Sequence, residues 1–175
     1  MPQHEYFMDL ALREAEKALA AGEFPVGCVL VRQGRVVARG RRLNSTGMAV
    51  NELDHAEIVA LRALAAEEPF PAPGEVVAYA TMEPCLMCYA ALLLSGVRTF
   101  IYGYEDAMGG GLGVELARLS PLYREMQVSI TGGVRRDESL RLFRRFFADP
   151  ANTYWQGSAL AAYTLALGEK GESLS

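Results

Sequence analysis

The stretch from Val76 to Tyr102, VVAYATMEPCLMCYAALLLSGVRTFIY, decides the fold. Its apolar start predicts a buried strand over 76–80, and the proline before the cysteines opens a helix predicted over 84–94. After the break at Gly96, a second apolar run predicts another strand over 99–102. Strand, helix and strand in this order form a βαβ unit with two parallel strands and a right-handed connection.

The segments on both sides of this unit are again helices and short strands. Apolar residues at helical spacing predict helices, and β-branched runs around the Gln33–Gly34 turn predict a β-hairpin. This order predicts an α/β protein with a three-layer α/β/α sandwich. We assign residues 1–150 to one domain and residues 151–175 to a carboxyl-terminal extension that packs on the domain or on a dimer partner. The further helices are predicted over 6–21, 56–66 (ended by Pro69), 139–148 and 158–167, and the further strands over 26–31, 35–39 and 127–131.

The composition is typical of one globular domain outside membranes. The chain has 175 residues, and its apolar runs stay far below the ~20 residues that a membrane span needs. Charged residues interrupt the amino-terminal segment, which is unlike a secretory signal, so we expect a cytoplasmic protein. A formal net charge of -4 argues against a protein that coats nucleic acid through its overall field.

Two short motifs place ligand-type side chains at the starts of two predicted helices. His55, Ala56 and Glu57 open one helix, and Cys85 and Cys88 lie in the first turn of the other. Cysteines three residues apart share one side of a helical turn, where the positive end of the helix dipole favours thiolate. With His55 they form a ligand set for Zn²⁺, and the sequence places no fourth ligand nearby. We therefore predict a zinc site with an open position for water.

Glu57 is the candidate for proton transfer. Two thiolates and a neutral imidazole cancel the formal charge of Zn²⁺, so the metal acidifies its water less than it would with three histidines. A separate base is then needed, and a carboxylate beside the water can pass protons to a ring nitrogen and a departing amine. The two-residue spacing of His55 and Glu57 does not by itself bring both side chains together on a regular helix.

A motif of the form His-x-Glu followed by Pro-Cys-x-x-Cys is found in zinc nucleobase deaminases. With Pro25–Gly27, Asn44 and the segments 55–61 and 83–88, it makes the region 24–103 resemble the tRNA adenosine deaminase and guanine deaminase branch of the cytidine deaminase-like superfamily. This resemblance implies a cytidine deaminase-like fold with a mixed five-stranded sheet. It also implies a homodimer.

The same resemblance implies a set of substrate contacts. Asn44 would hydrogen-bond the base in the pocket, and Pro25 and Val26 would form part of its wall. The backbone near Ala56 and Cys85 would assist. These roles come from the resemblance and not from the spacing of the residues.

Two departures from the pattern of the tRNA-acting enzymes bear on the substrate. Asp106 is followed by Ala107, where those enzymes usually carry a lysine, and the last family helix leads into Tyr154 and Trp155 instead of a basic tail. An aromatic tail is more similar to guanine deaminases, whose carboxyl-terminal segment helps to close the active site. Tyr154 and Trp155 are therefore candidates for a lid.

The sequence supports one leading function and two alternatives. The leading hypothesis is a zinc-dependent hydrolase that replaces the exocyclic amine of a purine-type nucleobase or nucleoside with oxygen and releases ammonia. Adenosine in a tRNA anticodon loop is the alternative substrate, although the net negative charge of the chain gives little attraction for a polyanion. The third hypothesis is a non-catalytic, zinc-stabilised interaction or RNA-binding module, and Glu57 argues against it. We interpret the arginines within 135–145 as a solvated helix face.

Overall fold

The structure is a computed structural model that describes residues 2–66 and 70–169. These residues form a five-stranded sheet with helices on both faces. None of the helices in these residues is both long and apolar enough to cross a membrane. A 3₁₀ turn over Leu116–Arg118 precedes the fourth α-helix. The strands are β1 (Gly27–Arg32), β2 (Arg35–Arg41), β3 (Val76–Met82), β4 (Thr99–Tyr104) and β5 (Ser129–Thr131). The helices are α1 (Pro2–Ala20), α2 (Ala56–Ala65), α3 (Leu86–Leu94), α4 (Pro121–Arg124), α5 (Arg136–Ala148) and α6 (Ala159–Glu169).

The strands follow the order β2-β1-β3-β4-β5 across the sheet. Strand β1 pairs antiparallel with β2 and with β3, whereas β3 with β4 and β4 with β5 are parallel pairs. Helix α3 connects the parallel strands β3 and β4, which confirms the strand–helix–strand unit predicted for 76–102. The predicted hairpin and the mixed five-stranded sheet are confirmed as well.

Alternate residues of β1 point to opposite layers of the sandwich. Val29 and Val31 belong to the apolar cluster that α1 forms with one face of the sheet. Cys28 and Leu30 belong to the cluster on the other face, which includes Leu64 of α2. Because side chains of a strand alternate with a period of two residues, each face of the sheet receives its own helices. The predicted α/β/α sandwich is therefore confirmed.

Two strand glycines let helices lie directly on the sheet backbone. A Cβ atom at Gly40 would lie 2.0 Å from the carbonyl oxygen of Ala56, and one at Gly27 would lie 2.1 Å from that of Ala11. Since no Cβ atom tolerates such distances, only glycine permits α2 and α1 to approach the strands here. Gly40 therefore sets the position of the amino terminus of α2, where the His-x-Glu motif lies.

Most differences from the predicted elements are shifts of their ends. Helix α3 begins at Leu86 and not at the proline, because Cys85 before it has an extended backbone with ψ 169°. Strands β3 and β4 run further than predicted, since their pairing continues to Met82 and Tyr104. Pro69, which was predicted to end α2, lies outside the described residues.

The carboxyl-terminal helix α6 packs on the rest of the domain. Leu160 and Ala161 are buried, and the hydroxyl oxygens of Tyr104 and Thr164 lie 2.9 Å apart. This helix belongs to the segment that we assigned to an extension. The division at residue 150 stays a prediction, and residues 170–175 lie outside the described part of the chain.

Candidate active site

Helices α2 and α3 begin close together, each with a ligand-type residue at its amino-terminal cap. His55 caps α2 with φ -65° and ψ 152°, and Cys85 caps α3 with φ -67° and ψ 169°. Both backbones are extended, so the side-chain spacing of a regular helix does not apply to these two residues. His55 therefore lies outside the helix that carries Glu57, and both side chains line the same cavity. The extended backbone of His55 thus explains how His55 and Glu57 face one cavity although they are only two residues apart in sequence.

The imidazole and the two thiols form a compact ligand set. His55 Nδ1 lies 3.6 Å from Cys85 Sγ and 3.5 Å from Cys88 Sγ, and the three ligand atoms all lie within 4.8 Å of one another. Zinc bonds of ~2.3 Å to sulfur and ~2.0 Å to nitrogen place neighbouring ligands of a tetrahedral site at about this separation. The donor set therefore fits Zn²⁺. Within residues 2–66 and 70–169, no fourth histidine, cysteine or acidic side chain joins the group.

The two thiols differ in acidity. A hydrogen bond with Cys88 lowers the pKa of Cys85 to about 4, opposed by burial and assisted by a hydrogen bond with His55. The hydrogen bond with Cys85 raises the pKa of Cys88, and burial and the charge of Glu57 raise it further. The metal-free pair therefore retains one proton. Zinc binding displaces that proton, because both sulfurs coordinate as thiolates.

Glu57 is a buried carboxyl group beside the ligand set. Its exposed fraction is 3%, and burial is the main cause that raises its pKa. A carboxyl group with a raised pKa exchanges protons closer to neutral pH than an exposed one. Burial lowers the pKa of His55, but a hydrogen bond with Cys85 and the charge of Glu57 outweigh burial, so that the pKa of His55 is raised.

Glu52 supports the imidazole from the side opposite the sulfurs. Its Oε2 lies 3.5 Å from His55 Nε2, the second nitrogen of the ring. A carboxylate at this nitrogen fixes the tautomer and the orientation of a metal-ligating histidine. The same oxygen accepts a 2.8 Å hydrogen bond from the hydroxyl group of Tyr154 and lies 3.4 Å from Arg42 Nη2. Glu52 thus joins the ligand set to the carboxyl-terminal segment.

A cavity opens beside the ligand set. It contains about 650 Å³ of empty space, part of which is continuous with solvent. His55, Glu57 and Cys85 line it, so the ligand atoms and the buried carboxyl group face one space. A mostly apolar cavity with a few convergent polar groups is typical of a small-molecule site. The apolar side chains in its wall are those of Phe24, Val26, Ala56, Met82, Met108, Trp155 and Leu160.

Four of the six residues expected to contact substrate line this cavity, namely Val26, Ala56, Tyr154 and Trp155. Pro25 and Asn44 do not belong to the lining that the described residues form. Asn44 has a left-handed backbone with φ 56°, and its Nδ2 donates a 2.7 Å hydrogen bond to Asp54. Its side chain therefore supports the loop before α2. A contact between Asn44 and the base stays a prediction.

The glycine-rich loop after β4, residues 109–113, packs closely against the start of α3. Glu83 accepts hydrogen bonds from the backbone N–H groups of Asp106 and Leu112, at 3.4 and 3.3 Å. A Cβ atom at Gly111 would lie 2.5 Å from the backbone nitrogen of Leu86. The glycine is thus required by a close backbone contact next to the cysteine motif.

Arg42 is a cavity residue that the sequence interpretation missed. It is 1% exposed and lines the cavity, whereas the side chains of Arg39 and Arg41 are 46% and 43% exposed. Neighbouring residues of a strand point to opposite faces of the sheet. Continuing this alternation by one residue beyond β2 would have placed Arg42 on the face opposite Arg41. That signal was lost because the strand was predicted to end at Arg39, whereas β2 continues to Arg41.

Comparison with protein families and relatives agrees with this geometry. Residues 1–104 match the cytidine and deoxycytidylate deaminase zinc-binding region, which confirms the predicted cofactor, Zn²⁺. The chain is 35% identical over 153 residues to a tRNA-specific adenosine deaminase of Agrobacterium fabrum, a match that covers 85% of this chain and 97% of the relative. It is 32% identical over 145 residues to the tRNA-specific adenosine deaminase subunit tad2 of Schizosaccharomyces pombe, covering 83% of this chain but only 37% of that longer protein.

Solved structures with a similar fold include two kinds of deaminase. A structure from a study of A-to-I editing by tRNA:A34 deaminases at the wobble position of transfer RNA has a TM-score of 0.63 and 32% identity, covering 78% of this chain and 98% of that chain. A guanine deaminase from Nitrosomonas europaea has a TM-score of 0.63 and 25% identity, covering 83% of this chain and 85% of that chain. The similar proteins thus include tRNA-specific adenosine deaminases as well as a guanine deaminase.

Replacing a proposed ligand should remove the metal. We expect Cys88→Ala to lose its zinc, because the remaining imidazole and thiolate hold the ion too weakly. Cys28→Ala is the matched control, since Cys28 is a buried thiol of β1 that does not belong to the ligand set. Plasma mass spectrometry of the purified proteins gives the zinc content. Equal zinc in Cys88→Ala and in the unmodified protein would contradict the assignment.

Proposed function

The chain belongs to the cytidine and deoxycytidylate deaminase zinc-binding family, and we propose that this zinc-dependent hydrolase deaminates a purine-type nucleobase or nucleoside. His55, Cys85 and Cys88 hold Zn²⁺ in this proposal, and Glu57 moves the protons. The observation that carries it is one cavity faced both by the compact ligand set and by a buried carboxyl group.

Hydrolytic deamination replaces the exocyclic amine with an oxygen atom from water and releases ammonia. Zinc, when bound, supplies a Lewis acid that makes a water molecule more acidic. Glu57 takes one proton from the water and gives it to a ring nitrogen, and it then takes the proton of the hydroxyl group added to the ring carbon and passes it to the departing amine. Burial and the raised pKa of Glu57 support this role, because the same group has to accept protons and to release them.

The cavity walls favour an uncharged planar ring. Phe24 and Met82 offer apolar surface to the faces of a heterocycle. Glu52, Glu83 and Asp106 also line the cavity, and their carboxylates would oppose the entry of a phosphate group. We therefore favour a free base or a nucleoside as substrate.

A tRNA adenosine deaminase is the second candidate, and the relatives at 32% and 35% identity favour it. Binding of a polyanion needs uncommitted basic groups near the cavity. At the start of α5, however, Arg135 lies 3.0 Å from Asp9 and 2.8 Å from Glu138, and Arg136 donates a 2.7 Å hydrogen bond to Glu105. These ion pairs support the interpretation of these two arginines as part of an ordinary solvated helix face.

We propose a homodimer as the assembly, as the resemblance implied, and the cytoplasm as the location, as the charged residues of the amino-terminal segment predicted. Leu86 and Leu94 of α3 are 58% and 59% exposed, although both side chains are large and apolar. Exposed apolar surface of this kind is commonly covered by a partner, and a second copy of the chain is the commonest partner of a soluble oligomer.

We propose that Tyr154 and Trp155 form a lid over the cavity. Both residues line it, and their rings lie edge to face with centroids 5.6 Å apart. Tyr154 is tied to Glu52 by its hydroxyl group, whereas Trp155 has a left-handed backbone with φ 55° and is 44% exposed. A half-exposed indole at the cavity mouth can cover the outer edge of a bound ring.

The proton-transfer role predicts the phenotype of Glu57→Gln. Glutamine keeps the shape of the side chain but cannot carry a proton, so we expect kcat/KM to fall by about 10²–10⁴-fold. Zinc content should not change, because Glu57 lies outside the ligand set. Ammonia release and metal analysis on the same preparations measure both quantities. Glu16→Gln, an exposed residue of α1, is the control. Undiminished turnover in Glu57→Gln would contradict the proton-transfer role, and no ammonia release by the unmodified protein would favour a non-catalytic zinc module.

A substrate panel separates the free-substrate proposal from the tRNA candidate. We expect ammonia release from free purines or their nucleosides, with cytidine compounds and tRNA as the comparison substrates. The rate should depend weakly on salt, because an uncharged substrate displaces no counterions from a nucleic acid. Activity confined to tRNA, with a steep loss as salt rises, would overturn the preference for a free substrate and support the second candidate.

The lid predicts a selective effect of Trp155→Ala on KM. A contact made equally by bound substrate and transition state changes KM and leaves kcat nearly constant, and we expect a rise in KM of about tenfold. Phe70→Ala is the matched control, because Phe70 is 46% exposed and lies in the loop before β3, away from the cavity lining. Steady-state kinetics on the preferred substrate measure the effect. An unchanged KM would argue that Trp155 has no contact with substrate.

A further inference from the structure

Three polar groups converge on one oxygen of Glu52 at the edge of the ligand set. Tyr154 donates a 2.8 Å hydrogen bond to Oε2, and Arg42 Nη2 and His55 Nε2 lie 3.4 and 3.5 Å from the same atom. The side chain of Glu52 is nevertheless 59% exposed. Holding an exposed glutamate in one conformation costs side-chain entropy. The convergence therefore indicates that the position of this carboxylate matters to the site.

The backbone on both sides of Glu52 is fixed as well. Arg42 Nη2 donates a 2.6 Å hydrogen bond to the carbonyl oxygen of Asn51, the residue before Glu52. The side-chain oxygen of Asn51 accepts hydrogen bonds from the backbone N–H groups of Leu53 and Asp54, both at 2.9 Å. These bonds close a turn around Glu52. Contacts within the loop before α2 therefore hold the backbone of Glu52 in place.

Tyr154 reaches Glu52 from the carboxyl-terminal segment. Its ring packs against Phe24 with centroids 5.2 Å apart, and the Cζ atom of Arg42 lies over the ring, 5.4 Å from its centroid. Burial and the hydrogen bond with Glu52 raise the pKa of Tyr154 to about 12, so the hydroxyl group keeps its proton and remains a donor. Tyr154 therefore holds the carboxylate only while the carboxyl-terminal segment is docked on the domain.

Glu52 acts on the metal site through His55. Nδ1 of His55 lies 3.6 Å from Cys85 Sγ and 3.5 Å from Cys88 Sγ, so this nitrogen is the one placed to bind Zn²⁺. A carboxylate near Nε2 favours a proton on that nitrogen, which leaves the lone pair of Nδ1 for the metal. Its negative charge also stabilises the positive charge that the ion induces on the ring. The position of Glu52 thus bears on how strongly His55 holds the metal.

We propose that Glu52 is a positioning residue for the zinc ligand His55 and that Tyr154 acts through it, so that docking of the carboxyl-terminal segment increases the affinity of the site for Zn²⁺. Tyr154 is 102 residues away from Glu52 in sequence, so this connection exists only in the folded domain. The inference rests on the assignment of His55 and the two cysteines as ligands, and it holds for any substrate. One segment thereby lines the cavity and stabilises the metal centre.

A role of Tyr154 in packing alone leads to a different expectation. Tyr154→Phe removes one oxygen atom and keeps the ring that contacts Phe24 and Arg42. If only the ring matters, the zinc affinity of this variant stays equal to that of the unmodified protein. If the hydroxyl group acts through Glu52, the affinity falls although the packing is preserved.

Competition with a chromophoric chelator measures the zinc affinity of each purified variant. We expect Glu52→Ala to weaken zinc binding by about 10–100-fold, the usual cost of losing the outer partner of a ligating histidine. Tyr154→Phe should weaken it by about fivefold, because Arg42 still contacts the carboxylate.

Two control variants match these changes away from the cavity lining. Glu115 is a 64% exposed carboxylate that pairs with Arg118, and the hydroxyl group of Tyr163 donates a 2.7 Å hydrogen bond to Glu105. Glu115→Ala and Tyr163→Phe should therefore change the zinc affinity by less than about twofold, because neither residue contacts a ligand. Thermal melting checks that every variant is folded.

A double variant shows whether Tyr154 acts through Glu52. In the Glu52→Ala background, Tyr154→Phe should have no further effect on zinc affinity, because the carboxylate that the hydroxyl group holds has been removed. Protein loaded with Co²⁺ gives a second readout, since the visible absorption of Co²⁺ depends on the geometry of its ligands. We expect the absorption bands to shift in Glu52→Ala and to stay unchanged in Glu115→Ala.

Each failure identifies the statement that is wrong. Unchanged zinc affinity in Glu52→Ala, or an equal effect of Tyr154→Phe in both backgrounds, would overturn the inference. If Glu52→Ala does not fold, the comparison of Tyr154→Phe with Tyr163→Phe still decides, and equal affinities would overturn it. Zinc retained by Cys88→Ala would disprove the ligand assignment and this inference with it. Glu52-dependent zinc binding without ammonia release from any substrate would support the inference and overturn only the proposed deaminase function.

Discussion

The meeting of two helix amino termini beside the sheet is the constraint on which the site depends. Helix α2 reaches this point because Gly40 allows its backbone to lie on β2, and α3 reaches it because it starts directly after β3. His55 and Cys85 are the cap residues of the two helices, so the placement of the helices sets the distance between their ligand atoms. Both helix dipoles present their positive ends here, which favours thiolate and carboxylate side chains.

Burial of charge is the second feature of the site. Glu57 and Arg42 are 3% and 1% exposed, and each lines the same cavity. The chain compensates them incompletely: burial raises the pKa of Glu57, and the described residues leave two donors of Arg42 unpaired. A buried carboxyl group with a raised pKa can exchange protons with a molecule that the cavity encloses.

The carboxyl-terminal segment completes the cavity from a distant part of the chain. Tyr154 is 112 residues away from Arg42 in sequence, yet its ring lies under the guanidinium group with 5.4 Å between the Arg42 Cζ atom and the ring centroid. Its hydroxyl group also holds Glu52, which in turn faces the imidazole of His55. The helix α6 that follows is anchored by buried contacts of Leu160 and Thr164. The part of the cavity lined by Tyr154 and Trp155 thus depends on the packing of the carboxyl-terminal segment, whereas the part lined by His55 and Cys85 depends on α2 and α3.

The sequence by itself determined the sandwich fold, the zinc-binding family and the deaminase chemistry, because apolar periodicity and closely spaced motifs are local properties of a chain. It also singled out Val26, Ala56, Tyr154 and Trp155, which line the cavity, although Pro25 and Asn44 do not. Only the tertiary structure decided that Arg42 is buried while Arg41 is exposed, and that Glu52 links the imidazole to the tail. The physical reason is that the burial of a side chain depends on segments that are remote in sequence. Alternation along a strand separates the two arginines onto opposite faces, but it does not record which face a remote segment will cover.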